Sequence, residues 1–325
     1  MSRAVARIQS ALGDPRVVRT VVLFVSAGVL LYLLAIFWFG WKDTAAALAS
    51  LGLKALLLGA VLSSSSYLWR FGRWESSLRC VGYQVPKWRH FAIYMSGLGL
   101  TATPGKSGET FRSALLLSHG VRISHSLAAF IVDRASDVLG MCLLGFVAAW
   151  VLGHALAWAW LLAFAVLLSG SCVFACVLQH PRAAAWWGWL GSTWQRLPVT
   201  GGQAVLEHWA GVWKLPRVTA YSVLAMVAYG TQALVFAWFC DAVGTGVPVA
   251  ACVLIFVQAT LFGAASMSPG GLGAMEAALV IQLTERGVEG SIAVSMAIAI
   301  RLVTLWLGMA IGALCLLLSS RKATA

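Results

Sequence analysis

From residue 21 to residue 40 the chain runs for 20 residues without a charge, and comparable windows recur to the end of its 325 residues. A bilayer core asks for roughly 20 apolar residues per helix, so each such window is long enough to cross one. Composition points the same way. Only 10% of the residues are charged and 60% are hydrophobic, where a soluble domain carries about 25% charge. So little charge cannot cover a water-facing surface, and much of the exterior must face hydrocarbon. A secretory signal would be one short apolar run ahead of a polar body. Barrel strands would alternate over about 10 residues. Neither pattern is present, and the expected fold class is an all-α polytopic membrane protein, a single membrane domain over 1–325.

Full spans are expected at 21–40, 47–69, 127–151, 156–178, 218–239 and 291–318. Two further stretches are too short. Residues 91–103 number 13 and stop at Pro104-Gly105-Lys106-Ser107-Gly108-Glu109 before 111–117 resumes. Residues 249–265 lead into Ser268-Pro269-Gly270-Gly271-Leu272-Gly273-Ala274-Met275-Glu276, and 277–283 forms a short return. A 13-residue helix rises only about 20 Å, which predicts re-entrant hairpins that enter and leave on one side. Irregular backbone at that depth is tolerable only against protein or a wet cavity. The segment 179–217 carries Trp186, Trp187, Trp189 and Trp194 among basic residues and suits a cytoplasmic, headgroup-level linker.

With six spans and a cytoplasmic N-terminus, 18 of the 23 Lys and Arg residues fall on the cytoplasmic side. Three, Lys42, Lys54 and Arg286, fall on the other, while Arg134 and Arg301 lie within spans. That bias places both termini in the cytoplasm. It also accounts for the net charge of +12 without a nucleic-acid partner, since basic loops meet anionic headgroups. The two Pro-Gly segments lie 165 residues apart, each after two spans and ahead of a span holding a buried arginine. They enter from opposite faces, the pattern of an inverted-topology repeat with halves 20–151 and 155–318.

Chemistry concentrates at these interruptions. Pro104, Gly105, Gly108, Pro269, Gly270, Gly271 and Gly273 end helices at the turns and expose backbone amides that favour an anion. Glu109 and Glu276 follow the turns and can staple them to Arg112, Arg134 or Arg301, or hold a proton or cation; Glu276 is the expected partner of Arg301. Asp133 and Asp137 share one helical face, with Arg134 rotated about 100° away. Three ionisable groups in one span must face protein or a wet cavity, and mark either a transport path or a stabilising network. Gln258 could line a cavity. The streak Ser63, Ser64, Ser65, Ser66 and Tyr67 reads as helix packing rather than ligand contact. The histidines lack a partner at metal-binding spacing, and the seven cysteines read as packing residues. No phosphate-binding loop, nucleotide fingerprint or nucleophile elbow occurs, so no metal, cofactor or catalytic residue is expected.

The run Pro104 to Arg112, the pair Asp133-Arg134-x-x-Asp137 and the run Ser268 to Glu276 resemble, in order and spacing, three signatures of the lysylphosphatidylglycerol-synthase transmembrane, or flippase-like, family. The resemblance covers nearly the whole chain. It implies a lipid translocase, and a stand-alone member without the soluble aminoacyl-transferase domain, since seven residues follow Leu318. The expected function is movement of an anionic-headgroup lipid between leaflets of a bacterial cytoplasmic membrane: a phospholipid, polyprenyl-phosphate-linked lipid or glycolipid. The expected path is lined by Glu109, Arg112, Asp133, Arg134, Asp137, Gln258, Glu276 and Arg301. A lipid-modifying enzyme in the membrane, a non-catalytic partner of one, and a small-solute transporter remain open alternatives.

Overall fold

The computed structural model describes residues 41–99, 112–113, 115–117, 119–180 and 202–321. The expected span at 21–40, the first turn with Pro104, Gly105, Gly108 and Glu109, and the tryptophans from 186 to 194 lie outside these residues. Among the described residues every long element is a helix. They are α1 Trp41–Arg79, α2 Lys87–Gly99, α3 Ile123–Val151, α4 Ala157–Gln179 and α5 Gly202–Val212. Then follow α6 Leu215–Ala242, α7 Val249–Ala265, α8 Ala274–Thr284, α9 Gly290–Arg301 and α10 Leu307–Arg321. A single π turn, Leu302–Trp306, joins α9 to α10.

Among the described residues, four stretches are long and apolar enough to cross a membrane: Leu48–Arg79, Ala157–Gln179, Leu215–Ala242 and Gly290–Leu316. They match the expected spans at 47–69, 156–178, 218–239 and 291–318. The span expected at 127–151 lies in α3, whose 29 residues rise about 44 Å and carry Asp133, Arg134 and Asp137. One boundary needs correction. The span expected to stop at residue 69 continues as helix to Arg79, so Arg70 and Arg73 lie on the helix rather than in a loop, and Arg73 is buried. Arg112, also counted with the loops, is buried as well. Removing these three from the expected cytoplasmic count leaves 15 basic residues against 3, so the expected bias keeps its direction.

Helix α6 is the central post. It packs on α1, α3, α7 and α9, and 56% of its apolar window is buried, against 11% for the peripheral α4. Small side chains, Ala225, Ala228, Ala233 and Ala237, are buried along it and let neighbouring helices come close, the usual basis of helix association in lipid. Pro216 sits in its first turn, where its missing amide would have had no partner anyway. Helices α7 and α8 fold back on each other around residues 266–273. Helix α5 of the linker packs on α3 and α4, with Trp209 and Trp213 buried and stacked at 5.3 Å.

Helix α2 meets α10 at a glycine pair. A Cβ placed on Gly312 would stand 2.3 Å from both Gly99 N and Met95 O, and one on Gly99 would stand 2.7 Å from Ala313 N. Those are backbone atoms and cannot swing away, so only glycine permits this crossing. Gly312→Ala is expected to cost about 1–3 kcal/mol through forced separation of the helices. Thermal unfolding of the detergent-purified protein should show a lower midpoint than the native chain. An unchanged midpoint would mean that the two helices can part freely.

Candidate functional site

The last three turns of α1 deliver arginines to the face of α3 that carries its aspartates. Arg73 lies 1% exposed, with Nε donating to Asp133 Oδ1 at 2.8 Å and Nη2 to Asp137 Oδ1 at 2.6 Å. Two carboxylates four residues apart on a helix stand about 6 Å apart along its axis, and a guanidinium fork can reach both. The other oxygen of Asp137 is shared. Arg134 reaches Oδ2 at 3.0 Å, Tyr229 of α6 donates to it at 3.2 Å, and Arg70 stands 3.6 Å away. Arg70 donates instead to the Tyr229 hydroxyl and lies over that ring, 4.7 Å from its centroid. The network ties α1, α3 and α6 together where bare hydrocarbon could solvate no charge.

A second node sits at the α7–α8 turn. Arg301, at the end of α9, donates from Nε to Glu276 Oε1 at 2.7 Å and from Nη2 to the Gly270 carbonyl at 2.6 Å. Glu276 is thus the partner of Arg301 that the sequence suggests. The turn it holds is unusual backbone: Gly270, Gly271 and Gly273 have φ of 62°, 70° and 83°, and Met267 has φ 56° with its side chain 80% exposed. A Cβ at Gly271 would just touch the Gly263 backbone at 3.4 Å, so the positive φ rather than lack of space is what calls for glycine there. Glycine supplies that conformation at little cost, whereas Met267 holds it under strain. The π turn follows Arg301 directly, and its Thr304 carbonyl accepts from Tyr67 Oη at 2.7 Å. Single π turns of this kind concentrate at functional sites.

Between the two nodes lies a cavity of about 210 Å³. Arg70, Arg134 and Arg301 line it, together with Tyr67, Tyr229 and Gln232 and the backbone of Gly270 and Gly271. No Asp or Glu does so among the described residues. The walls come from α1, α2 and α3 on one side and from α6 to α10 on the other.

Of the residues singled out from sequence, Arg134, Arg301, Gly270 and Gly271 border the cavity. Asp133, Asp137 and Glu276 stand behind the arginines and hold them. Arg112 is buried between the Trp74 and Tyr94 rings, 4.5 and 4.3 Å from their centroids, and donates to the Tyr94 carbonyl at 3.3 Å. Gln258 is not among the lining residues. Instead Gln232 lines the cavity and donates to Ser66 Oγ at 2.9 Å. Tyr67, read from sequence as packing, faces the cavity as well. Arg70, Arg73 and Tyr229 were missed. The available signal was the stripe Ser66, Arg70, Arg73 and Ser77 at helical spacing, with Trp74 and Leu78 prolonging the apolar pattern. Among the described residues, no three His, Cys, Asp or Glu side chains come together in a group that could hold a metal ion.

Removing the Arg301 head would leave the Glu276 carboxylate and the Gly270 carbonyl without this donor. Arg301→Met should therefore destabilise the protein by about 3–5 kcal/mol. Proteolysis at the exposed Met267 turn should also become faster. Equal digestion rates in the native and variant proteins would show that Arg301 does not hold the turn.

Comparison with known proteins bears on the identity of this arrangement. A "UPF0104 membrane protein" of Methanothermobacter thermautotrophicus is 22% identical over 269 residues, covering 74% of this chain and 78% of that protein. The family model described as the lysylphosphatidylglycerol synthase TM region matches residues 25–312, nearly the whole chain. The protein is a multi-pass membrane protein and belongs to the lysylphosphatidylglycerol synthase transmembrane-region family.

Proposed function

We propose that the protein moves a lipid with an anionic headgroup between the leaflets of the cytoplasmic membrane, the headgroup passing through the arginine-lined cavity while the tails stay in lipid. The observation that carries this reading is the cavity itself. Arg70, Arg134 and Arg301 converge on one space, beside the Tyr67 and Tyr229 side chains. Taking a phosphate out of water is prohibitive unless it is paired, and arginine offers paired, charge-assisted hydrogen bonds in a fixed fork. At about 210 Å³ the space falls below the about 300–1,000 Å³ of sites that enclose whole small molecules. It suits a headgroup better than an entire amphiphile.

The same reading gives the architecture its purpose. Residues 91–117 and 249–283 act as two re-entrant hairpins, related by an inverted repeat and meeting near the midplane. The α7–α8 turn pinned by Arg301 is the second of them. Six spans then carry the chain across, with both termini cytoplasmic, in keeping with 15 basic residues against 3. A protein so built needs no catalytic residue, since changing leaflets breaks no bond.

Leaflet exchange in liposomes tests this. Labelled phosphatidylglycerol and a labelled polyprenyl phosphate serve as probes, each with and without a proton gradient. The native chain should exchange at least one of them. Arg134→Ala removes a side chain that is 39% exposed and should fold; its exchange rate should drop by about tenfold or more. A chemically altered lipid without exchange would point to a lipid-modifying enzyme instead. No exchange of any anionic lipid would sink the proposal and bring the small-solute transporter and the non-catalytic partner forward.

A further inference from the structure

The direction in which the polar protons of the cavity wall point decides what a bound headgroup must bring with it. Among the described residues, five hydroxyl-bearing residues line the space: Tyr67, Tyr229, Thr260, Ser268 and Thr304. Each has its proton committed inside the protein. Tyr67 donates to the Thr304 carbonyl at 2.7 Å and Tyr229 to Asp137 Oδ2 at 3.2 Å. Thr260 and Thr304 donate one turn back, to the Phe256 carbonyl at 2.7 Å and the Ile300 carbonyl at 2.6 Å. Ser266 gives its proton to the Gly263 carbonyl at 2.8 Å, so in its 2.8 Å contact with Ser268 it accepts and Ser268 donates. A hydroxyl has one proton, so toward a ligand these five have only lone pairs to offer. Gln232 of α6, 7% exposed, stands with them in the wall. Ser66 Oγ donates to the Ser63 carbonyl at 2.6 Å and can only accept from Gln232, which fixes the amide nitrogen on Ser66 at 2.9 Å. The amide oxygen therefore points elsewhere. It has no hydrogen-bond partner among the described residues and is accessible rather than sealed in the core, so on a side chain that lines the cavity it opens into that space.

We infer that Gln232 is a specificity-determining residue, and that the headgroup it selects carries a free hydroxyl beside its phosphate, as a phosphoglycerol or other polyol ester does and a simple alkyl phosphodiester does not. This rests on the proposed headgroup site and names the class of lipid that site takes. A phosphodiester has acceptors only, which suits a guanidinium but gives an amide oxygen nothing. When such a headgroup displaces water from the cavity, Gln232 Oε1 loses the donor that water supplied, and a buried acceptor left unmet is costly. A hydroxyl on the headgroup restores that donor. An ammonium would donate too, but the acceptors here are neutral and three guanidiniums line the same space. Among the described residues no carboxylate stands in the wall to receive a cation, and a charge taken out of water needs one.

The test follows leaflet exchange of labelled lipids with identical chains in liposomes. Phosphatidylglycerol and phosphatidylpropanol carry the same single negative charge and differ in the headgroup hydroxyls; phosphatidylethanolamine supplies the ammonium. The native protein should exchange phosphatidylglycerol about tenfold faster than phosphatidylpropanol, the scale of one buried acceptor met or left unmet. Phosphatidylethanolamine should go no faster than phosphatidylpropanol. Gln232→Leu should remove most of the preference by slowing phosphatidylglycerol, with phosphatidylpropanol staying within about threefold of its native rate. A merely structural role would slow both lipids alike and keep their ratio, and that result would overturn the assignment to Gln232. If Gln232→Leu cannot be purified folded, the native ratio decides alone: a preference for phosphatidylglycerol supports the inference, and equal rates overturn it while leaving the translocase intact. Faster exchange of phosphatidylethanolamine than of phosphatidylglycerol would overturn it in favour of an ammonium. No exchange of either anionic lipid by the native chain would remove the translocase itself, and this inference with it.

Discussion

The buried clasp of Arg73 on Asp133 and Asp137 is the constraint around which the rest of the protein is arranged. Charges are expensive at membrane depth, and a lone one would force a helix to shift or draw in water. The sequence places two acids on α3 and two arginines on α1, and they can be buried only if those helices adopt one register. Tyr229 extends the same requirement to α6. A register slip of one residue would turn the aspartates from the arginines by about 100°, leaving ions unpaired in a medium that cannot solvate them. The clasp therefore selects one helix arrangement more than it adds net stability, because the desolvation of buried ions offsets much of their attraction.

The second node obeys the same logic with different materials. The turn between α7 and α8 leaves backbone groups without helical partners, and Arg301 answers one of them while pairing with Glu276. Irregular backbone is thereby brought to the wall of a polar space rather than to lipid, the condition under which it is tolerated. Tyr67 holds the π turn beyond Arg301, and the glycine crossing holds α10 to α2. The cavity thus lies among α1 to α3 and α6 to α10, which supply its walls.

Much of the architecture was legible because hydropathy and length are one-dimensional properties. The spans at 156–178, 218–239 and 291–318 and the hairpin leg at 249–265 fall within a few residues of the observed helices. Glu276 as partner of Arg301 was legible too, since a lone intramembrane arginine needs an acid and the turn supplies one nearby. Arg70 and Arg73 were hidden by a rule that is usually sound: basic residues after an apolar run belong to a loop. Here the helix runs on for ten residues past Trp69 because the acids of α3 receive those charges. Gln258 and Gln232 show the remaining limit. Both are polar residues on apolar helices, and only the rotation of each helix against its neighbours places Gln232 at the cavity wall.

The amino-acid sequence alone determined that the chain lives in a membrane, which segments are long enough to cross it, and where helices must break. Apolar length, charge bias and Pro-Gly turns act locally and do not depend on what packs against them. Tertiary structure decided which charges pair and which are left to face the cavity. That choice turns on helix rotation and depth, and a difference of one residue in register moves a side chain from a buried clasp to a wet wall. The acids that looked like a binding path became the holders of the arginines, because a carboxylate at membrane depth is most stable against the nearest guanidinium.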